Sequence, residues 1–556
     1  MPATLNLQVN LPDVSFSQIP LPTNELHVST SGNDTTGNGS TGSPYKTVQK
    51  AMIQLANRPA DQRAIRVHSG TYRAGAVNTS IAETTVGGSQ KNPCWLTAEP
   101  GVVLVAPDNQ SPGESNVYIR NRPFLSVKHR FWIIDGFELD GGGTHWNAVN
   151  ITASDHVVLK NLIIHGFTGN NAISFYNAQD IALLGGKIHT SHRWAWVNPG
   201  ANKFEIRSRD PSAEDCHGVY VNSGCSRIWI KGVESYDNGA DSVQCNKESP
   251  GAIPSHITIE WNRFHHDFEN AVDLKTCEHV AVRGNKVYGY RETVRSVTKR
   301  DPRGAAVVVH VNAENILLEK NRFWDCTTAA TFGAANGRLG NMVFRRNLIF
   351  DASAARAGMP DPFIGFGIYA SHVSNQSASR IEIYNNTFYN IPCYAIFVGT
   401  NEQDANDIIN NVIVANNIVM DAGYGLDGEY ALRFKFYQQN SPTGVKNMEC
   451  DNNLYYNSRN SSRFRIETSP VTPNPYEELI RDSGGFVTTN GARGWGSNNR
   501  PYDRNSFIDN PIFINKPRYN DFYTQQGSRA RDNATQTPEQ SPICGNGPDI
   551  GFLESC

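Results

Sequence analysis

Lys275 and His310 are the residues whose types and placement most readily do chemistry in this chain. In Val272-Asp273-Leu274-Lys275 and in Val307-Val308-Val309-His310, apolar residues alternate with residues facing the other way. Both segments therefore read as short strands with Lys275 and His310 turned outward from one sheet. Neighbouring strands lie about 4.8 Å apart, so consecutive repeats would make the amine and the imidazole adjacent side chains. Two titratable groups side by side on an open sheet face suit abstraction of a proton and its return. The competing reading of Lys275 is a surface lysine paired with Asp273, two residues back on the same face.

Around this pair the sequence gathers groups that recognise an acidic ligand. Segment 290–304 carries Arg291, Arg295, Lys299, Arg300 and Arg303 against only Glu292 and Asp301, and guanidinium groups grip carboxylates with two bonds at once. A second long loop, 187–215, holds Trp194 beside Arg193 and leads into His217; rings next to cations fit stacking on a sugar with recognition of its acid group. With the repeats in register, Asn222 and Asn246 continue the outward column of Lys275, and Tyr220 and Gln244 continue that of Asp273. The carboxylates Asp237, Asp241 and Glu269 could hold a hard cation such as calcium, which asks for six or more oxygens.

The elements that must position these groups follow from a repeat. A polar or glycine position followed by apolar residues recurs at Gly136, Asn161, Gly186, Gly232, Asn262, Asn285, Asn321, Asn347, Asn386, Asn417 and Asn453. The shortest intervals, 23 to 26 residues, set one turn of a coil, and the excess elsewhere is loop. Three short strands per turn with asparagine at a corner describe an all-β fold, a right-handed parallel β-helix solenoid, in which stacked asparagines bond along the coil. An up-and-down sandwich would need hairpin turns at regular spacing of about 8–12 residues, and these are missing.

The expected organisation is an N-terminal arm over 1–24 and the β-helix over 25–508, closed by a C-terminal cap over 509–556. A capping helix is expected near 43–56, with Ser43 as its cap and Pro44 near its first position.

A net charge of -3 with 19% charged residues argues against a nucleic-acid partner. No run of 18 apolar residues argues for a membrane span. Ten cysteines are too few for a disulfide scaffold in this length; Cys216 with Cys225, and Cys544 with Cys556, could staple local loops in an oxidising compartment. The expectation is a secreted or periplasmic protein whose signal peptide is not in this sequence, acting as a monomer.

The segment Asn270-Ala271-Val272-Asp273-Leu274-Lys275-Thr276, followed one turn later by Val307-Val308-Val309-His310, resembles the catalytic region of polysaccharide lyase family 6. That family comprises alginate lyases and chondroitinase B and uses a right-handed β-helix. The resemblance implies a lysine base, Lys275, that removes the proton beside a uronate carboxyl group, and an acid for the leaving oxygen at the position of His310, where the family has arginine. It also implies calcium as the ion that neutralises the carboxylate, although the family's calcium-binding glutamate falls on Asn270. In a related uronate lyase, Tyr236 and Tyr290 near the same turns would share the proton transfers.

The function expected is thus a polysaccharide lyase that cleaves an acidic polysaccharide, alginate-like or glycosaminoglycan-like, by β-elimination without an organic cofactor. A glycoside hydrolase, a C5-epimerase and a non-catalytic carbohydrate-binding coil are the alternatives.

Overall fold

The computed structural model describes residues 7–553 except 74–80, 106–122, 146, 192–215, 249, 291–304, 311, 334–339, 353–365, 371–379, 393, 399–407, 424–429, 435–443, 459–462, 469–475, 483–484, 488–502, 504, 514–521 and 535–547. Trp194 and the arginines Arg291, Arg295, Arg300 and Arg303 lie outside the described residues. Two compact units divide the chain, one of residues 9–272 and one of 273–556 with 1–8.

In the unit of residues 9–272, every turn contributes one strand to each of three parallel sheets. Asp155–Lys160, Gln179–Leu184, Ser226–Lys231 and Ser255–Glu260 follow one another in the first sheet. Val149–Thr152, Asn171–Tyr176, His217–Val221 and Val243–Cys245 do so in the second. Ile163–Phe167, Lys187–His189, Glu234–Tyr236 and Arg263–His265 form the third. Parallel pairing in this rotation stacks like residues: Val149, Ile173, Val219 and Val243 form one inward column, all buried. Branched side chains fill such a pleated interior well, which is why the inward positions read as valine and isoleucine.

The helix spans Val48–Leu55, shorter than expected. Its cap is Thr47, whose hydroxyl accepts the Lys50 amide at 3.2 Å, and not Ser43. Asp34 accepts the amides of Lys46 and Thr47 and so holds the chain extended up to Thr47, while Tyr45 bridges to Val28 in strand fashion. Ser43 and Pro44 are thereby committed to a loop. Val48, Ala51, Met52 and Leu55 are buried at helical spacing against the first strands, as a lid requires. The arm of residues 9–24 is not a free extension: Phe16, in a short 3-10 turn, is buried against Trp95, Phe131, Ile133 and Val158.

The unit of residues 273–556 repeats the three-sheet plan, with Ala305–His310, Thr328–Phe332, Phe366–Ala370, Ile396–Val398 and Tyr430–Phe434 in its second sheet. The asparagine ladder expected from the repeat runs here through Asn285, Asn321, Asn347, Asn386, Asn417 and Asn453. Each side-chain amide donates to the next carbonyl oxygen at 3.0 to 3.2 Å, and each backbone amide reaches the same oxygen.

Every rung follows a residue with left-handed backbone: Gly284, Lys320, Arg346, Asn385, Asn416 and Asn452. The earlier repeat marks, Gly136, Asn161 and Gly232, are that left-handed residue itself, and apolar Phe137, Leu162 and Val233 take the next, buried place. Two different corner roles thus produced one sequence signal.

The tail is tied to the coil by an apolar cluster. Phe513, Phe522, Ala530 and Ile550 pack on Leu348, Phe350, Ile418 and Leu454, and Gly551 bonds to the Asn416 carbonyl. It therefore lies along the side of the coil. The reason is an apolar outward column in the third sheet, Trp324, Phe350, Tyr389 and Met420 in register, which water would otherwise wet.

Candidate functional site

Asp273 and Lys275 leave the same face of the strand Val272–Lys275, because Val272 and Leu274 take the buried positions between them. In Ala305–His310 the same alternation buries Val307 and Val309 and turns His310 outward. The carboxylate of Asp273 joins the two strands: Oδ2 is 2.7 Å from Lys275 Nζ and Oδ1 is 2.8 Å from His310 Nε2. Asp273 is only 4% exposed, whereas about a quarter of each partner's side chain meets solvent.

Burial pushes the Asp273 carboxyl up. The His310 hydrogen bond and the Lys275 charge outweigh that, holding it below the ordinary carboxylate range. The surface-pair reading of Lys275 and the adjacency of Lys275 with His310 are therefore both met, through one buried anion.

The other sequence-derived candidates fall apart from this cluster in kind. Tyr290 is fully buried, with 0% exposure, which removes its phenol from the reach of a polymer. The Tyr236 ring is sandwiched in the third sheet between His189 and His265, with centroids 4.9 and 4.8 Å away and planes within 9°. Both faces of that ring are occupied, so it serves the stack and not a sugar. Tyr220 aligns with Gln244 as expected but is buried, its ring against His217 at 6.0 Å. Asn246 turns its amide to Glu248 at 3.2 Å.

Within the unit of residues 9–272 a second group forms where the sequence placed carboxylates. His217, Asp241 and Glu269 bring one ligand atom each to within 4.8 Å of one another, all three residues buried. His217 Nδ1 is 3.1 Å from Asp241 Oδ2. Asn270 donates its backbone amide and its side-chain amide to Asp241 Oδ1, each at 3.0 Å. Asp237 is exposed at a corner and is not in this group.

His217 belongs to it through a signal the sequence does hold. His217, Asp241 and Asn270 each stand two residues before an inward valine, Val219, Val243 and Val272, and those valines stack in register. The donor set does not fit calcium, which takes six to eight oxygens; here one of the donors is an imidazole nitrogen.

A family described as "right handed beta helix region" matches residues 217–419. No curated protein matches the chain. Among solved structures the chain is similar to a pectate lyase, with 12% identity over 98% of this chain and 100% of that one and a TM-score of 0.39. It is similar to an alginate lyase of polysaccharide lyase family 6, with 14% identity over 80% and 54% and a TM-score of 0.42. A surface adhesin of Streptococcus pneumoniae is likewise similar, with 13% identity over 82% and 95% and a TM-score of 0.43. With its parallel three-sheet coils the chain is a right-handed parallel β-helix; these likenesses carry no residue role into it.

Proposed function

We propose that this protein is a polysaccharide lyase that acts outside the cytoplasm and cuts a uronic-acid polymer by β-elimination at the Lys275–Asp273–His310 cluster. The observation that carries the reading is one buried carboxylate held between an outward amine and an outward imidazole. Elimination needs a base for the C5 proton and a proton for the departing O4, and this arrangement supplies both in adjacent side chains.

The resemblance gives the base role to Lys275, but the ion pair favours the converse. A carboxylate 2.7 Å from Nζ stabilises the ammonium, and a bound uronate would do so further. When the His310 ring is neutral, donation from Nε2 to Asp273 Oδ1 leaves Nδ1 as an acceptor.

In the proposed step His310 Nδ1 takes the C5 proton. The C–H electrons form the C4–C5 double bond, the C4–O4 bond breaks, and Lys275 gives a proton to O4. The fragments are a 4,5-unsaturated uronate end and a sugar with a free hydroxyl. Solvent then returns both groups to their starting states. The arginines of 291–303 are proposed to neutralise the uronate carboxylate. Hydrolysis is disfavoured because Asp273, held ionised between two donors, cannot serve as the general acid of a carboxylate pair.

The test is incubation with alginate, polygalacturonate, hyaluronan, chondroitin sulfates and glucuronan while following the ultraviolet absorbance of an unsaturated uronate. A rise that His310→Ala lowers by about 10²–10⁴-fold supports the reading. Reducing ends released without absorbance would replace it with hydrolysis. The pH profile of kcat separates the roles: with Lys275 as the ammonium donor the rate falls as pH rises through the titration of the amine, whereas with Lys275 as the base the rate rises there.

A further inference from the structure

The group His217, Asp241, Glu269 and Asn270 has a feature that hydrogen bonding within the protein leaves unexplained. Asn270 is 9% exposed, its side-chain nitrogen is committed to Asp241 Oδ1, and its carbonyl oxygen is buried with no hydrogen-bond partner among the described residues. An orphaned buried acceptor costs about 1–3 kcal/mol, and its amide is fixed against the same carboxylate that His217 approaches. The opposite orientation of the amide would turn its oxygen toward Asp241 Oδ1 and lose the donated bond, so the observed one is favoured. A carbonyl oxygen without a donor, at the edge of a buried imidazole and two carboxylates, is arranged for a cation.

We propose that His217, Asp241 and Glu269, with the Asn270 carbonyl oxygen, form a binding site for a first-row transition-metal dication of the zinc type, not for calcium. The donor chemistry discriminates between the two. Calcium prefers an all-oxygen shell of six to eight ligands, whereas zinc takes three or four protein ligands that mix imidazole nitrogen with carboxylate oxygen. The stacked strands account for the convergence. His217, Asp241 and Asn270 hold equivalent places before the inward valines of successive strands, so the pleat delivers them as a column one strand spacing apart, with Glu269 beside it. The site stands on its own and does not depend on the proposed lyase chemistry.

The experiment strips the full-length protein with a chelator, removes the chelator, and titrates Zn²⁺ by calorimetry, with metal content read by mass spectrometry after desalting. One zinc per chain is expected, retained in a hundredfold excess of calcium. His217→Gln and Glu269→Gln are expected to weaken it by about 100-fold, and Asn270→Ala by about 10-fold. Cobalt substituted for zinc should give a spectrum without a thiolate charge-transfer band, which excludes binding to cysteines. Circular dichroism establishes which variants are folded, and Asn270→Ala keeps the test readable if a ligand variant is not. The proposal is overturned if no zinc is retained, if equimolar calcium displaces it, if the cobalt spectrum shows thiolate ligation, or if folded His217→Gln binds zinc as tightly as the parent. Because the readout is binding, its failure leaves the elimination reading untouched, and loss of activity in Lys275→Ala with zinc still bound would separate the two.

Discussion

Replacing Asp273 by asparagine removes the charge that organises the cluster and keeps its shape. Asp273 accepts from Lys275 Nζ at 2.7 Å and from His310 Nε2 at 2.8 Å. An amide offers one oxygen and one NH₂, so it can accept from only one of these donors and must turn its own hydrogens toward the other. Each charge-assisted bond is worth about 1.5–3 kcal/mol, and two of them set a range of about 3–6 kcal/mol for holding the imidazole tautomer and the ammonium in place. At about 1.4 kcal/mol per decade, kcat/KM should fall about 10²–10⁴-fold, measured from the ultraviolet absorbance on whichever polymer the parent cleaves.

The same change has a pH signature. The Asp273 carboxyl is held below its ordinary range in the folded protein, so its contribution to stability is fully present above the unfolded value of about 3.9 and is lost as pH falls through the lower folded value. The urea midpoints of parent and Asp273→Asn should differ most near neutrality and converge below about pH 4. A folded Asp273→Asn protein within threefold of parental activity, with Lys275→Ala inactive, would refute the shared-anion argument and leave Lys275 acting alone.

Two further outcomes concern the scaffold. Asn347→Ala would take the Asn347 side chain from the Asn321 backbone amide and the Leu318 carbonyl, while the Asn321 side-chain amide keeps its bond to the Val282 carbonyl. At about 1–3 kcal/mol for each of these two groups, the unfolding free energy of the C-terminal unit should fall by roughly 2–6 kcal/mol in denaturant titrations, and a loss under 1 kcal/mol would mean that the ladder is ornamental. Burial pushes the thiols of Cys94 and Cys225 up to about 12 and about 11. Neither should react with a disulfide reagent at pH 8 until urea is added, and rapid labelling of native protein at these residues would contradict their placement. Cys216 and Cys225 are not joined by a disulfide in the structure, so the local staple considered from the sequence is not formed.

The coil was legible because its cause is local and repeated. Alternation of apolar residues, a corner residue able to adopt left-handed backbone, and an asparagine after it recur at nearly constant spacing, and parallel stacking then leaves little choice of fold. The capping helix was legible in its apolar face but not in its start, because Asp34, twelve residues before Lys46, captures the amides that would have opened the helix at Ser43. The tail was legible in its apolar residues but not in the surface they meet, because only the register of Trp324, Phe350, Tyr389 and Met420 reveals an outward column in need of cover.

The sequence by itself determined the β-helix, the outward direction of Lys275 and His310, and their adjacency in one sheet, since all three follow from a two-residue period and a constant repeat. Only the tertiary structure decided what those side chains are. It placed the Asp273 carboxylate between them, buried the Tyr290 phenol, stacked Tyr236 between two histidines, and drew His217 to Asp241 and Glu269. The reason is that direction along a strand is a property of the local backbone. Charge state, accessibility and ligand convergence depend on which atoms of neighbouring turns lie within about 3–5 Å, and insertions of unequal length between the strands hide that from the linear chain.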